Sequence, residues 1–227
     1  MANPCNIKDI KIPSKSSKLA EFIGIVLGDG NIHAYIKGKK TRTYMIRIAG
    51  NSIKDFNYLT EYVKPLGEDL FGIKGQIFKS KNCNCLYLTF HGKKIIDFFQ
   101  KMNLPPGNKI KNKIRIPSWI FSKKIYMRAC LRGLYDTDGS IYELLPNWPG
   151  LYQLNLDNYN YDLLKQVRDM LIFLGFKPSK IHGNKTPEGT KIDITRKKDI
   201  KKFYKEIGTN NDSKRKKFLE LFDSPFV

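Results

Sequence analysis

The sequence predicts an α+β fold in which one unit is used twice, each unit reading helix–strand–strand–helix–strand–strand–helix (αββαββα). Three observations predict it. Two apolar segments end alike, "FIGIVLGDG" (Phe22 to Gly30) and "LRGLYDTDG" (Leu131 to Gly139). Patterns of the same kind follow each ending in the same order, which is the mark of an internal repeat. The spacing late in each unit also repeats, since Phe98 to Lys109 and Phe203 to Lys214 both span 11 residues.

The elements follow in order. After the first Asp-Gly comes a strand-turn-strand, "NIHAYIKGKKTRTYMIRIAG", and after the second "SIYELLPNWPGLYQLNL". Amphipathic helices are expected over "IKDFNYLTEYVKPLGEDLFG" and "NYDLLKQVRDMLIFLG". Two shorter strands are expected next, in "GQIFKSKNCNCLYLTF" and in "PSKIHGNKTPEGTKIDIT". "KKIIDFFQKM" and "KKDIKKFYKEI" close the units as helices. Pro117 and Ser122 in "KNKIRIPSWIFSKK" break one unit from the next. The expected organisation is an N-terminal arm over 1–17, a first half over 18–117 and a second over 118–227.

The strands alternate. Ile32, Ala34 and Ile36 point one way while Asn31, His33, Tyr35 and Lys37 point the other. Leu86, Leu88 and Phe90 point inward with Tyr87 and Thr89 outward, and Ile192 and Ile194 are buried. A period of two with one apolar face describes an antiparallel sheet covered by helices on one side. The opposite face is polar, basic and aromatic.

Charge says what that face meets. Lys plus Arg number 41 against 21 Asp plus Glu, a formal charge of +20, and the pI is near 9.7. The basic residues run through the whole chain, so the expected partner is a polyanion, nucleic acid first. At 227 residues and 41% hydrophobic, the chain can bury a proper core. No run approaches the roughly 18 apolar residues of a membrane span. "MANPCNIKDIKIPSKSS" lacks the apolar stretch of a signal peptide, so an intracellular protein without a membrane partner is expected. Cys83 and Cys85 form a lone "CNC" without a second pair, which falls short of the four ligands of structural zinc.

Both apolar helices end in a carboxylate, where the macrodipole is already negative and a cation would be favoured. Gly24 and Gly28 fall on one face of the first helix, and Gly133 and Thr137 take the equivalent places in the second. Small residues at that spacing let two helix backbones approach closely. Packed in parallel, the helices would bring Asp29 and Asp138 together. Two carboxylates and two sets of terminal carbonyls there call for a divalent cation with oxygen ligands, Mg²⁺ foremost.

The two quoted segments resemble the motifs of the LAGLIDADG homing endonucleases in their single-chain, two-motif form. The resemblance runs over nearly the whole chain from about Leu19. The second motif matches closely, while the first has Leu27 where the family has its earlier acid. The resemblance implies a pseudo-twofold pair of units whose motif helices form the interface and whose two sheets form a saddle over the DNA major groove. It implies a site-specific, metal-dependent endonuclease that cuts both strands of a long, nearly asymmetric double-stranded site as a monomer, with no protein partner required. Asp29 and Asp138 would hold Mg²⁺, assisted by the carbonyls of Gly28 and Thr137, with Lys109 and Lys214 as the catalytic lysines. Mn²⁺ is expected to substitute for Mg²⁺, and Ca²⁺ to support binding without cleavage.

DNA readers are expected on the outward sheet faces: Asn31, His33, Tyr35, Arg42, Arg47, Lys74, Gln76 and Tyr87 in the first half. Tyr142, Gln153, Asn155, Lys177, Lys191, Asp193 and Thr195 are their counterparts in the second. Arg and Lys suit guanine, Asn and Gln suit adenine. The alternative is a catalytically silent DNA- or RNA-binding protein of the same fold, an intron maturase or a transcriptional regulator. Met1-Ala2 at the start and "FDSPFV" at the end supply no self-splicing residues, so a free-standing or intron-encoded protein is expected over an intein-embedded one.

Overall fold

Two antiparallel sheets, one on either side of a central pair of helices, make up the computed structural model. It describes residues 9–37, 41–145, 148–183, 186–187 and 189–223, and within these the side chains of 36–37, 41–42, 149 and 221–223 lie outside the description. In chain order the first half runs α1 (Ser17–Leu27), β1 (Gly30–Lys37), β2 (Thr41–Asn51), a π-helical turn (Tyr58–Val63) leading into α2 (Lys64–Phe71), β3 (Gln76–Lys79), β4 (Cys85–His91) and α3 (Lys93–Lys101). A 3₁₀ turn (Ser118–Ser122) opens the second half, followed by α4 (Lys124–Asp138), β5 (Gly139–Leu144), β6 (Trp148–Asp157), α5 (Tyr161–Phe173), β7 (Lys191–Ile194), α6 (Lys197–Glu206) and α7 (Asp212–Asp223).

The first sheet has the order β1-β2-β4-β3 and the second β5-β6-β7. The alternation expected from the sequence sets their two faces. Ile32, Ile46, Ile48, Leu86, Leu88 and Phe90 are buried against the helices, and Leu154, Leu156, Ile192 and Ile194 do the same in the second sheet. Phe22 of α1 anchors the first core, its ring 5.4 Å from Phe71 and 5.8 Å from Phe90. Tyr135 of α4 anchors the second, 5.1 Å from Phe203 and 5.6 Å from Phe218.

One expectation changes and two features are added. "PSKIHG" forms no strand: the chain there makes one isolated bridge, His182 to Lys191, so the described second sheet has three strands. Pro178 has no backbone N–H for a ladder, and the Ser179 hydroxyl instead accepts from the Asp193 N–H at 3.0 Å. Helix α7 was not foreseen, yet its signals are local: Asn211 accepts from the Ser213 N–H at 3.1 Å as an N-cap, and Phe218 is its buried anchor. Finally, the described part of the N-terminal arm lies along the body. Lys11 N–H donates to Phe71 O at 2.9 Å, Lys15 O accepts from the Tyr126 hydroxyl at 3.2 Å, and Ser16 caps α1 through the Leu19 N–H at 3.2 Å. Residues 1–8 lie outside the described residues.

Candidate active site

Helices α1 and α4 pack backbone to backbone. Gly24 rests on the carbonyl of Cys130 and Gly133 on that of Glu21, so closely that a Cβ at either place would overlap the carbonyl oxygen. Gly28 meets the Thr137 side chain in the same way, and the space for its Cβ lies 3.2 Å from Asp138 Oδ1. Gly24, Gly28, Gly133 and Thr137 therefore all lie at this contact. Behind it, buried Glu21 accepts from Arg132 Nη2 at 2.5 Å, from the Tyr62 hydroxyl at 2.7 Å and from the Asn210 amide at 2.6 Å. Three donors satisfy this buried carboxylate.

The two helix ends are neutralised by lysines from elsewhere in the chain. Lys109 Nζ donates to Leu27 O at 2.8 Å and to Gly28 O. Lys214 Nζ donates to the carbonyls of Tyr135 at 2.6 Å, Thr137 at 3.0 Å and Gly139 at 2.7 Å. Neither helix has a basic residue in its own last turn, so these ammonium groups supply the cation that the dipole favours there.

Each aspartate shares a cleft with the lysine of the other half. One cleft holds Asp138 and Lys109 together with Leu27, Ile110, Ile114, Asn158, Tyr159 and Asn160. The other holds Asp29 and Lys214 together with Lys54, Asp55, Asp136, Lys216 and Lys217. Electrostatics gives the same pairing. Burial pushes Asp29 above the ordinary carboxylate range, opposed more by Lys214 than by Lys109, while Asp55 adds to the rise. Burial and then the charge of Asp29 push Asp138 up to about 7, opposed by a hydrogen bond from Asn158, by Lys109 and by Lys214. Both lysines are held below their ordinary value by burial, with the nearby carboxylates pulling the other way.

Those shifts bear on a metal. Two buried carboxylates, one of them pushed up further by the charge of the other, are short of positive charge, and all their neighbouring helix-end acceptors are oxygens. Among the described residues no group of three or more His, Cys, Asp or Glu gathers as a metal cage. A pair of carboxylates with carbonyls suits Mg²⁺, which keeps several waters and takes its other ligands from substrate phosphates. The donor set fits.

The expected reading face is partly open and partly closed. In the first sheet one row crosses all four strands, Asn31 to Arg47 to Thr89 to Gln76. Arg47 also stacks over the Tyr87 ring at 5.2 Å, and His33 lies 5.8 Å from Tyr35. Tyr35, Lys74 and Gln76 are exposed; the Arg42 side chain lies outside the described residues. In the second sheet Tyr142 pairs with Gln153, whose amide donates to the Tyr142 hydroxyl at 3.0 Å. Asn155 and Asp193 are corrected: they are 6% and 8% exposed, closed over by their own partners. Ser140 donates to Asn155 at 2.6 Å, and Asp193 pairs with His182 at 2.6 Å. Lys191 leans toward Asp157 at 4.0 Å. Lys177 and Thr195 are exposed but lie off the strands, as does Lys74.

Two site residues escaped the sequence. Asn158, just past β6, donates its amide to Asp138 Oδ2 at 2.6 Å. Asn51, the last residue of β2, makes the same local turn: it accepts the Ile53 N–H at 2.9 Å, as Asn158 accepts the Asn160 N–H at 2.8 Å. Asp136 is the other: it is 2% exposed and accepts from the Thr209 hydroxyl and from Asn210 N–H at 3.0 Å. Burial pushes its carboxyl up to about 6.

Comparison with known proteins places this geometry. Residues 126–208 match the family model of the LAGLIDADG-like domain. The chain is 29% identical over 224 residues to a DNA polymerase of Thermococcus sp. (strain GE8), covering 94% of this chain and 12% of that protein. It is 24% identical over 230 residues to the tRNA-splicing ligase RtcB of Pyrococcus furiosus, covering 89% and 22%. The chain thus spans a minor part of these curated relatives. Among solved structures, mesophilic variants of the homing endonuclease I-DmoI superpose with a TM-score of 0.64 at 22% identity, covering 85% of this chain and 95% of that one. I-DmoI in complex with DNA and Ca gives 0.64 at 19%, covering 88% and 97%. The meganuclease I-SmaMI bound to uncleavable DNA gives 0.60 at 14%, covering 93% and 89%.

Proposed function

We propose that this chain, whose residues 126–208 form a LAGLIDADG-like domain and which carries throughout the fold of the single-chain homing endonucleases, is a site-specific double-strand DNA endonuclease. One observation carries the reading: at the paired helix ends, each aspartate shares a cleft with the lysine of the opposite half. Two composite sites, one for each strand, are what a double-strand cut needs. The I-DmoI and I-SmaMI structures in complex with DNA support the partner. The curated relatives, a polymerase and a ligase, share this stretch while differing in named activity, which fits a transferable module.

Asp29 and Asp138 would hold Mg²⁺ with the carbonyls of Gly28 and Thr137. When bound, such ions lower the pKa of a water, polarise the scissile phosphate and stabilise the departing 3′ oxygen. Lys109 and Lys214 stabilise the charge that builds on the phosphate, and their burial makes each ammonium more effective than it would be in water. Asn158 holds Asp138 by one oxygen, leaving the other free. Sequence is read on the sheet faces, with Arg47 suited to guanine and Asn31 and Gln76 to adenine in the major groove. The Lys-rich surface supplies non-specific phosphate contact. The chain works as two halves, about 18–117 and 118–227, behind an arm.

A second reading has its own support. The carbonyls of Gly28 and Thr137 already accept hydrogen bonds from Lys109 and Lys214, so the lysines serve as built-in counter-ions. A chain content with those would bind nucleic acid without cutting it.

A cleavage selection on a randomised DNA library in Mg²⁺, with a Ca²⁺ binding control, separates the two. Cutting at one long, weakly symmetric sequence, lost in Asp29→Asn or Asp138→Asn, supports the nuclease. Tight binding with no cutting in Mg²⁺ or Mn²⁺ overturns it in favour of a maturase or regulator.

A further inference from the structure

Leu27 and Asp136 hold the same place in the two motifs, two residues before Asp29 and Asp138. Both are buried, at 1% and 2% exposure. Leu27 shows that an apolar side chain satisfies the packing there. A carboxylate at the same depth is costly, the more so in the last turn of a helix whose dipole is negative. Asp136 must therefore be kept for what it binds.

What it binds is the segment that delivers Lys214. The Asp136 carboxylate accepts the Thr209 hydroxyl and the Asn210 N–H, the latter at 3.0 Å. Thr209 Oγ1 in turn accepts the Asn211 N–H at 3.1 Å. Asn211 is fully buried. Its amide donates to Asp55 at 2.9 Å and to the Asp136 carbonyl at 3.4 Å, while its Oδ1 accepts the Ser213 N–H at 3.1 Å and starts α7. Lys214 N–H returns to Asn211 O at 3.0 Å. The Lys214 ammonium then closes on the carbonyls of Tyr135 and Thr137, the two residues flanking Asp136. Chain and helix end form a closed ring.

Lys109 is held by a different device. Gly107 N–H donates to Ile32 O at 2.9 Å, Asn108 Oδ1 accepts from the N–H groups of Ile110 and Lys111 at 2.9 Å each, and the Asn112 amide donates to Pro106 O at 3.0 Å. That loop is tied to β1 and to itself, and it asks nothing of the Leu27 side chain beyond packing.

We propose that Asp136 is a positioning residue for Lys214: it fixes the Thr209–Lys214 segment so that the ammonium stands in the Asp29 cleft, and so governs the cut of one strand only. The proposal rests on the nuclease reading above. It assigns the earlier acid of the second motif a role that the first motif does without.

The test is strand-resolved, single-turnover cleavage of the duplex recovered from the library selection, each strand carrying its own fluorophore. The full chain is compared with Asp136→Leu, Asp136→Asn, Thr209→Val and Lys214→Met. Asp136→Leu is expected to slow one strand roughly 100-fold, the scale of a small misplacement of a reacting group. That strand is the one slowed by Lys214→Met, while the other strand's rate and binding in Ca²⁺ stay unchanged. Asp136→Asn keeps an acceptor for one of the two donors and is expected to fall between, as is Thr209→Val. Equal slowing of both strands, or slowing of neither, overturns the assignment and leaves Asp136 a packing residue. Should Asp136→Leu fail to fold, Asp136→Asn and Thr209→Val decide by the same strand asymmetry. A wild-type chain that binds the duplex and cuts neither strand overturns the nuclease reading and this one with it. A wild type that cuts both while no variant shows asymmetry overturns this one alone.

Discussion

Lys109 caps the helix of its own half, on the carbonyls of Leu27 and Gly28, yet lines the cleft of Asp138 from the other half. Lys214 repeats the arrangement in mirror, on the end of α4 and in the cleft of Asp29. Neither half lines either cleft by itself. The crossing follows from the glycine contact between α1 and α4, which sets the two helix ends side by side.

Composite sites should fail one strand at a time. Lys109→Met and Lys214→Met are each expected to convert supercoiled plasmid to nicked circle without linear product, on opposite strands. Strand-specific end labelling checks this, and nicking of the same strand by both would refute the crossed pairing.

The motif aspartates should be needed for cutting and dispensable for binding. Asp29→Asn and Asp138→Asn are each expected to abolish double-strand cleavage in Mg²⁺ while leaving the Ca²⁺ gel shift within a few-fold of wild type, since affinity comes mainly from phosphate contacts elsewhere. Loss of binding in step with cleavage would count against a purely catalytic role.

Metal-free stability should vary with pH in a direction set by Asp138. Its pKa rises from an ordinary value of 3.8 to about 7 in the fold, so the folded state binds the proton more tightly than the unfolded chain. Stability therefore increases as pH falls from about 7 toward 4, and the penalty is fully present above 7. Asp136, at about 6, acts in the same direction. In EDTA, Asp138→Asn is expected to raise Tm at pH 7 and above and to flatten the slope between pH 4 and 7. A lower Tm for this variant at pH 8 would show that the carboxylate is stabilised by its lysines after all.

The helix contact should tolerate no added atom. Gly133→Ala directs a methyl group into the Glu21 carbonyl and Gly24→Ala one into that of Cys130. Because the obstruction is backbone, each is expected to cost about 1–3 kcal/mol in urea denaturation. A neutral result would mean that the helices slide apart freely.

The two sheets should respond differently to substitution. Arg47→Ala, in the open row of the first sheet, is expected to relax preference at one base pair by about 1–3 kcal/mol with little change in Tm. Asn155→Ala, buried under Ser140, is expected to lower Tm with no change in base preference. A binding selection with each variant on the same library distinguishes them.

Much of this was legible along the chain because it is written in local chemistry. The paired Asp-Gly endings, the glycines four apart, the alternating strands and the equal Phe-to-Lys spacings depend only on residues near one another in sequence. They determined the doubled αββαββα plan, the two aspartates, the two lysines and the basic face. Helix α7 was also there to be read, in an Asn N-cap followed by an amphipathic stretch around Phe218.

The tertiary structure decided the rest. The partner of Asp136 lies 73 residues away and that of Glu21 as many as 189, and no period links such pairs. That Lys109 serves Asp138 depends on how closely two backbones pack, which two glycines permit but do not by themselves direct. That Asn155 and Asp193 are buried on the sheet face and not open follows from Ser140 and His182 standing beside them. Local pattern specifies which groups are present and which way they face; only packing decides which of them find one another.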